Sequence, residues 1–230
     1  MSPSKFHGNS GYLGFKYQME EALREEGLNP ENAVADPPIA KFSKRYYQQV
    51  LKLPKKKIYD YCFMGTINSK GIKNNRQWVI EFAKKNFTNK SYFLNTDDEP
   101  NWKSLGSFDY TNSGKGYNPR TNYSLPKELQ NVRYDPLESD KEYLEIMCQS
   151  KYCLCPAGDS PWTLRFYEAL MCRNLPIVES EHHAYRTEEE SKLGYNFLLL
   201  EDFKKEIKYK KLIDENTLIF NKHHLMVDKR

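Results

Sequence analysis

The chain has no long apolar run, no internal repeat and no low-complexity tract. No hydrophobic stretch approaches the ~18–20 residues that cross a bilayer. Residues 1–25 are polar and charged, which is unlike a secretory leader. These absences predict a soluble, cytoplasmic protein with no signal peptide and no membrane span.

A strong excess of charge is also missing. The net charge is +4 over 230 residues, and the densest basic run is KLPKKK at residues 52–57. That run is typical of a solvated linker, and it is not part of a basic stripe with interleaved aromatic residues or of a known nucleic-acid module. We therefore predict no nucleic-acid partner, whereas a small anionic ligand is compatible with this charge.

The cysteines lack a disulfide pattern. Their number, five, is odd, and their spacing matches no disulfide framework. Most lie in or beside apolar segments, which predicts buried free thiols and a reducing compartment. No His/Cys cluster has the spacing of metal ligands, so we predict neither a metal site nor a metal cofactor. The cysteines are Cys62, Cys148, Cys153, Cys155 and Cys172.

Aromatic residues are abundant, with 17 Tyr and 12 Phe, and hydrophobic residues make up 39% of the chain, which is enough for a sizeable core. Strand-like and helix-like segments alternate, and this order predicts an α/β fold with a mostly parallel sheet. The polar region 97–134 is predicted as a long excursion between elements. The predicted strands cover residues 57–65, 91–96, 152–156, 175–179 and 195–203.

The segment YCLCPAGDSPWTLRFYEALMCRNLPIVES at 152–180 predicts a strand, a loop, a helix and a second strand. Ser160 is predicted to cap the helix and Pro161 to occupy its first position. The loop PAGDS then lies where a strand ends and a helix begins, which is the usual place for ligands in open α/β sheets. The free N–H groups of a helix start favour anions, above all phosphate.

Arg165 and Glu168 lie three residues apart and share one face of that predicted helix. A guanidinium can bind phosphate oxygens bidentately, and a carboxylate can accept hydrogen bonds from two neighbouring ribose hydroxyls. Together they indicate a nucleoside diphosphate site. From spacing alone, a surface ion pair worth only ~0.3–0.5 kcal/mol remains an open alternative.

A longer pattern surrounds this pair, and it resembles the signature of exostosin-like glycosyltransferases. That signature has a strand with a cysteine, then Pro-x-Gly, a short polar loop, an arginine followed by an aromatic residue, an acidic residue, and a strand beginning with proline. Upstream, YDYCFMG and NNRQWV resemble the strand–glycine–helix unit of the same family. The matching residues in the signature are Cys153, Pro156, Gly158, Asp159, Arg165, Phe166, Glu168, Ala169 and Pro176.

The resemblance implies a GT-B-like architecture of Rossmann-type parallel sheets with a reduced amino-terminal half. It divides the chain into an acceptor-side region, residues 1–55, and a nucleotide-sugar-binding domain, residues 56–230. It also implies an inverting transfer to a glycan hydroxyl from a UDP-sugar, first UDP-xylose, without an obligatory metal, by a soluble microbial or viral member. The implied donor-binding residues are Gly65, Arg76, Gly158, Asp159, Ser160, Arg165 and Glu168.

The catalytic base of GT-B enzymes usually comes from the amino-terminal half, which makes His7 and Asp36 the candidates. Gly11 and Gly14 are predicted to form an acceptor-side loop that approaches the substrates closely. His182 and His183, after a strand of the other half, are a further option, with an exposed loop pair as the alternative.

Two other functions remain open. Asp97, Asp98 and Glu99 follow a predicted strand, and their oxygens can hold Mn²⁺ in a metal-dependent GT-A-type glycosyltransferase. The same residues are also compatible with a solvated turn. The small amino-terminal region is compatible with a non-catalytic nucleotide- or sugar-binding module.

Overall fold

The computed structural model describes residues 24, 27, 39–40, 42, 44–65, 67, 76–95, 143–158, 161–203 and 207–225. Several sequence predictions fall outside these residues and stay predictions. They concern His7, Gly11, Gly14, Asp36, Asp97, Asp98, Glu99, Asp159 and Ser160.

The described strands form one five-stranded sheet in the order β2-β1-β3-β4-β5, and the four pairings between neighbouring strands are parallel. The predicted α/β fold with a parallel, Rossmann-type sheet is therefore confirmed. β3 and β4 are apolar segments in the centre of the sheet, as expected for strands covered by helices on both faces. The strands are β1 (Tyr59–Gly65), β2 (Ser91–Asn95), β3 (Ser150–Leu154), β4 (Leu175–Val178) and β5 (Leu198–Leu199).

Helices connect and cover these strands. In the described part of the chain, none of them is long and apolar enough to cross a membrane. The helices are α1 (Lys44–Leu51), α2 (Gln77–Asn86), α3 (residues 143–148), α4 (Leu164–Met171), α5 (Glu188–Ser191) and α6 (Tyr209–His223), with a 3₁₀ turn at Glu181–His183.

The strand predicted over 195–203 is shorter than expected, since only Leu198 and Leu199 pair with β4. Asn196 instead forms hydrogen bonds with a residue of α6. Its backbone N–H donates to Asn216 Oδ1 at 2.7 Å, and Asn216 Nδ2 donates to its carbonyl at 2.8 Å. A side chain therefore takes the place of the strand ladder here.

The two faces of the sheet carry separate hydrophobic clusters. On one face, α2 packs Trp78 and Phe82 against Phe63 of β1. On the other, α1, α3, α4 and α6 pack around Cys62 and Cys153. Because α2 follows β1 and α4 follows β3, the chain leaves these two neighbouring strands toward opposite faces. This arrangement is the topological switch point at which open α/β sheets bind ligands.

Residues on both sides of the predicted domain boundary at residue 55 share one core. Phe42 is fully buried, its N–H donates to the His224 carbonyl at 2.7 Å, and its ring lies 5.5 Å from that of Phe220. Tyr46 and Val50 belong to the same cluster. The division of the chain itself stays a prediction.

Candidate functional site

Helix α4 begins later than the sequence predicts. Thr163, not Ser160, caps it, and Pro161 lies before its first turn, so the predicted start is wrong. The side chain of Thr163 accepts from Arg165 N, and its carbonyl accepts from Phe166 N at 3.2 Å. Two of the first N–H groups of this helix therefore already have acceptors.

The guanidinium of Arg165 reaches from α4 to the carboxyl end of β1. Its Nη2 donates to the Met64 carbonyl, and its Cζ lies 5.1 Å from the centroid of the Phe63 ring. Only 2% of the residue is exposed. A Cβ atom at Gly65 would overlap Nη2 and lie 3.3 Å from Cζ, so glycine makes room for the arginine.

The Tyr143 side chain lies close enough to Arg165 to interact with its charge, but the described residues do not fill the hydrogen-bonding capacity of the guanidinium. Its Nε and Nη1 are buried and have no hydrogen-bond partner among the residues that the structure describes. No ion pair joins it to a described carboxylate. Burial of an unpaired charge costs several kcal/mol, and a guanidinium offers five donors in a fixed fork. An anion with oxygen acceptors is the ligand that this group fits best.

Glu168 lies one turn further along α4 and is 7% exposed. Its Oε2 accepts a hydrogen bond from the Tyr143 hydroxyl at 2.6 Å. The alternative of a surface ion pair between Arg165 and Glu168 is wrong, because both side chains are buried. The structure therefore places Arg165 against Gly65 and Glu168 one turn further along the same helix.

Arg76 immediately precedes α2 and is 8% exposed. Its Nε donates to the carbonyl of Ala157, in the loop after β3, at 2.8 Å. Gly158 lies next in that loop, and its N–H donates to the Trp162 carbonyl at 3.4 Å. Arg76, which follows β1 in the chain, thus contacts the loop after β3, whereas Arg165, which follows β3, contacts the end of β1.

The two arginines and the glutamate fall inside a recognisable domain. A family model described as the Exostosin GT47 domain matches residues 48–191, which is more than half of the chain. The chain belongs to the exostosin GT47 family. The resemblance seen in the sequence is thereby confirmed, and membership makes the protein a glycosyltransferase with a sugar donor and an acceptor as substrates. No curated protein sequence matches the chain.

Other predicted residues of this glycosyltransferase lie elsewhere. His182 is exposed and His183 Nδ1 lies 3.5 Å from Glu179 Oε2, both in the 3₁₀ turn after β4. All five cysteines are free and buried, as predicted. Within the described ranges, no group of three His, Cys, Asp or Glu side chains is placed to hold a metal ion. The proposed base and acceptor-side loop lie outside the described residues.

Tyr143 is the site residue that the sequence analysis missed. It is 4% exposed and lies in the segment SDKEYLEIM, for which the sequence analysis predicts no site residue. A buried tyrosine usually needs a hydrogen-bond partner. That rule signals a polar neighbour for Tyr143, but only the fold shows that the neighbour is Glu168.

Proposed function

We propose that this glycosyltransferase binds a UDP-sugar at the switch point between β1 and β3, with Arg165 on the diphosphate. The observation that carries the proposal is the guanidinium itself, buried at 2% exposure with two nitrogens unpartnered among the described residues. Pyrophosphate oxygens would complete these hydrogen bonds and neutralise the charge. Glu168, on the same helix, would accept hydrogen bonds from the ribose hydroxyls.

In the proposed reaction, the acceptor hydroxyl attacks the anomeric carbon from the face opposite the diphosphate and inverts its configuration. Negative charge grows on the departing diphosphate, so a fixed positive group beside it stabilises the transition state more than the ground state. Arg165 supplies that group. Arg76 contributes by holding the Ala157 carbonyl, which supports the loop containing Gly158.

The remaining parts of the proposal rest on the sequence. His7 or Asp36 would take the proton of the acceptor hydroxyl, Gly11 and Gly14 would line the acceptor side, and Asp159 and Ser160 would contact the donor. The proposed donor sugar is xylose, and the acceptor is a glycan. We propose that no metal ion is obligatory.

Replacement of Arg165 by methionine tests the assignment of the anion site. Calorimetry with UDP should show about 100-fold weaker binding, because charged hydrogen bonds of this kind contribute about 2–5 kcal/mol. Arg173 provides the matched control, since its guanidinium is partly exposed and pairs with Asp214 at 2.6 Å. Arg173→Met should leave UDP affinity unchanged.

The stability of Arg165→Met adds a second measurement. Because the variant removes a buried charge that the described residues leave unpaired, its melting temperature without ligand should not fall far below that of the wild type. Arg165→Lys serves as a second variant, which keeps the charge but loses the bidentate geometry. Undiminished UDP binding by folded samples of both variants would overturn the proposal.

A further inference from the structure

We propose that Tyr143 is a positioning residue for the nucleotide: its hydroxyl fixes the Glu168 carboxylate in the orientation that receives the ribose hydroxyls. The inference rests on the proposed role of Glu168 and extends it to a residue on another helix. Tyr143 itself need not touch the ligand.

The hydrogen bond between the two residues is short and buried. Tyr143 Oη lies 2.6 Å from Glu168 Oε2, and the residues are 4% and 7% exposed. Distances of 2.5–2.7 Å are typical of a hydroxyl that donates to an ionised carboxylate, and such bonds are about twice as strong as neutral ones. The bond therefore restrains the torsions of the Glu168 side chain.

The backbone around Tyr143 is also well anchored. Helix α3 runs directly into β3, and the Ser150 hydroxyl donates to the Ile146 carbonyl at 2.7 Å. The Cys172 thiol, just after α4, lies 3.9 Å from the Leu144 carbonyl. Both ends of the Tyr143–Glu168 bond are thus attached to elements of one packed core.

A carboxylate has about four acceptor positions, so one bond from Tyr143 is compatible with simultaneous acceptance from two adjacent hydroxyls. A fixed rotamer of Glu168 matters most for a ligand that presents both ribose hydroxyls together. If the Tyr143 hydroxyl only stabilised the fold, its removal would instead weaken the binding of every ligand equally. The two roles therefore differ in how they affect discrimination between UDP and 2′-deoxy-UDP.

Calorimetry with UDP and 2′-deoxy-UDP tests the inference on the wild type, Tyr143→Phe, Glu168→Gln and Tyr195→Phe. The wild type should prefer UDP, and Tyr143→Phe should lose about 10-fold of that preference, because a hydrogen bond to a charged group is lost. Tyr195 is the matched control: it is 5% exposed, and its hydroxyl has no partner among the described residues. Tyr195→Phe should keep the full preference.

The ratio of the two affinities, measured on one sample, does not depend on the fraction of folded protein, so partial unfolding of a variant cannot imitate the effect. If the wild type binds both nucleotides equally, or if Glu168→Gln keeps the preference, the proposed ribose contact is itself wrong. If Glu168→Gln loses the preference while Tyr143→Phe keeps it, only the positioning role of Tyr143 is overturned. Equal weakening of both nucleotides in Tyr143→Phe would also overturn it.

Discussion

At the scale of single residues, the proposed donor site depends on the close approach of a backbone and a side chain. The Arg165 guanidinium passes over Gly65 to reach the carbonyl of Met64. Any side chain at residue 65 would need the space that Nη2 occupies. Because Phe63, Met64 and Gly65 all contact the Arg165 guanidinium, it cannot move aside without disturbing these neighbours.

Gly65→Ala should therefore weaken UDP binding by about 10-fold or more, since a displacement of the guanidinium by an ångström or so breaks bidentate contacts. Titration calorimetry measures the effect. Gly194→Ala is the control: its backbone φ is +75°, but no atom lies within 4 Å of the added carbon. That variant should lose about 1 kcal/mol of stability from backbone strain and no affinity.

The same residues show how far sequence reasoning extends at this scale. Arg165 and Glu168 can be found because their spacing and surrounding motif are local features of the chain. The Tyr143–Glu168 contact joins residues 25 positions apart, and Arg165 meets Met64 across 101 positions. Such contacts depend on strand order, which a local pattern does not contain.

At the scale of elements, the residues before α4 explain why the sequence predicts the wrong start for this helix. Ser160 and Thr163 are both good caps, and local rules favour the one followed by proline. In the structure Thr163 is the cap, and Gly158 N–H donates to the carbonyl of Trp162, the residue before Thr163.

At the C-terminal end of α4, a carbonyl accepts a hydrogen bond from a residue that is distant in the sequence. Lys57 Nζ donates to the carbonyl of Cys172, the residue after the helix, at 3.2 Å. Lys57 was interpreted as part of a solvated linker, but it is half-buried. Burial lowers its pKa to about 8, and Arg173 acts in the same direction, whereas the thiols of Cys172, Cys148 and Cys62 oppose the shift.

This lowered pKa predicts a specific pH dependence. Between pH 8 and the ordinary lysine value near 10.5, the unfolded chain binds more protons at Lys57 than the folded chain does. The contribution of Lys57 to the free energy of unfolding therefore rises with pH across that window and is least favourable below pH 8. Urea denaturation of the wild type and Lys57→Met at several pH values measures this contribution as a difference.

The exposed Lys211 provides the control, since 71% of its side chain is accessible. The stability difference between the wild type and Lys211→Met should stay flat from pH 8 to 10.5. A flat difference for Lys57→Met as well would show that its ammonium remains solvated in the folded protein.

At the scale of the whole molecule, a buried carboxylate connects Ala40 to the part of the chain that follows β4. Glu190 is fully buried, and its Oε1 accepts from Ala40 N at 2.8 Å. Its Oε2 accepts from the Tyr167 hydroxyl and from Arg186 N. Together with the buried ring of Phe42, this network makes Ala40, Tyr46 and Val50 part of the core rather than an appendage.

A chain of residues 56–230 should consequently not fold cooperatively, because it lacks several side chains that are fully or nearly fully buried in the intact protein. Loss of one buried phenylalanine side chain alone typically costs about 3–5 kcal/mol. Circular dichroism melts of 56–230, of 39–230 and of the full chain test this expectation. The 39–230 chain should melt cooperatively; a cooperative melt of 56–230 close to that of the full chain would support an independent domain beginning at residue 56.

The architecture as a whole was accessible from the sequence because buried strands alternate with helices in a simple order. Two features were not accessible from the sequence. Helix α6 continues to residue 223, and β5 is short because the side chain of Asn216 limits it. The sequence pattern of each segment is genuine in both cases. Competition between segments for the same backbone groups decides the outcome.

Every residue of α4 is buried, and Arg165 is held there among Gly65, Met64 and Phe63 before any ligand arrives. A free arginine side chain loses up to about 2 kcal/mol of rotamer entropy when it becomes fixed. Here that loss accompanies folding, so the diphosphate of the proposed donor would meet a preorganised guanidinium, and its affinity would not be reduced by immobilising the side chain.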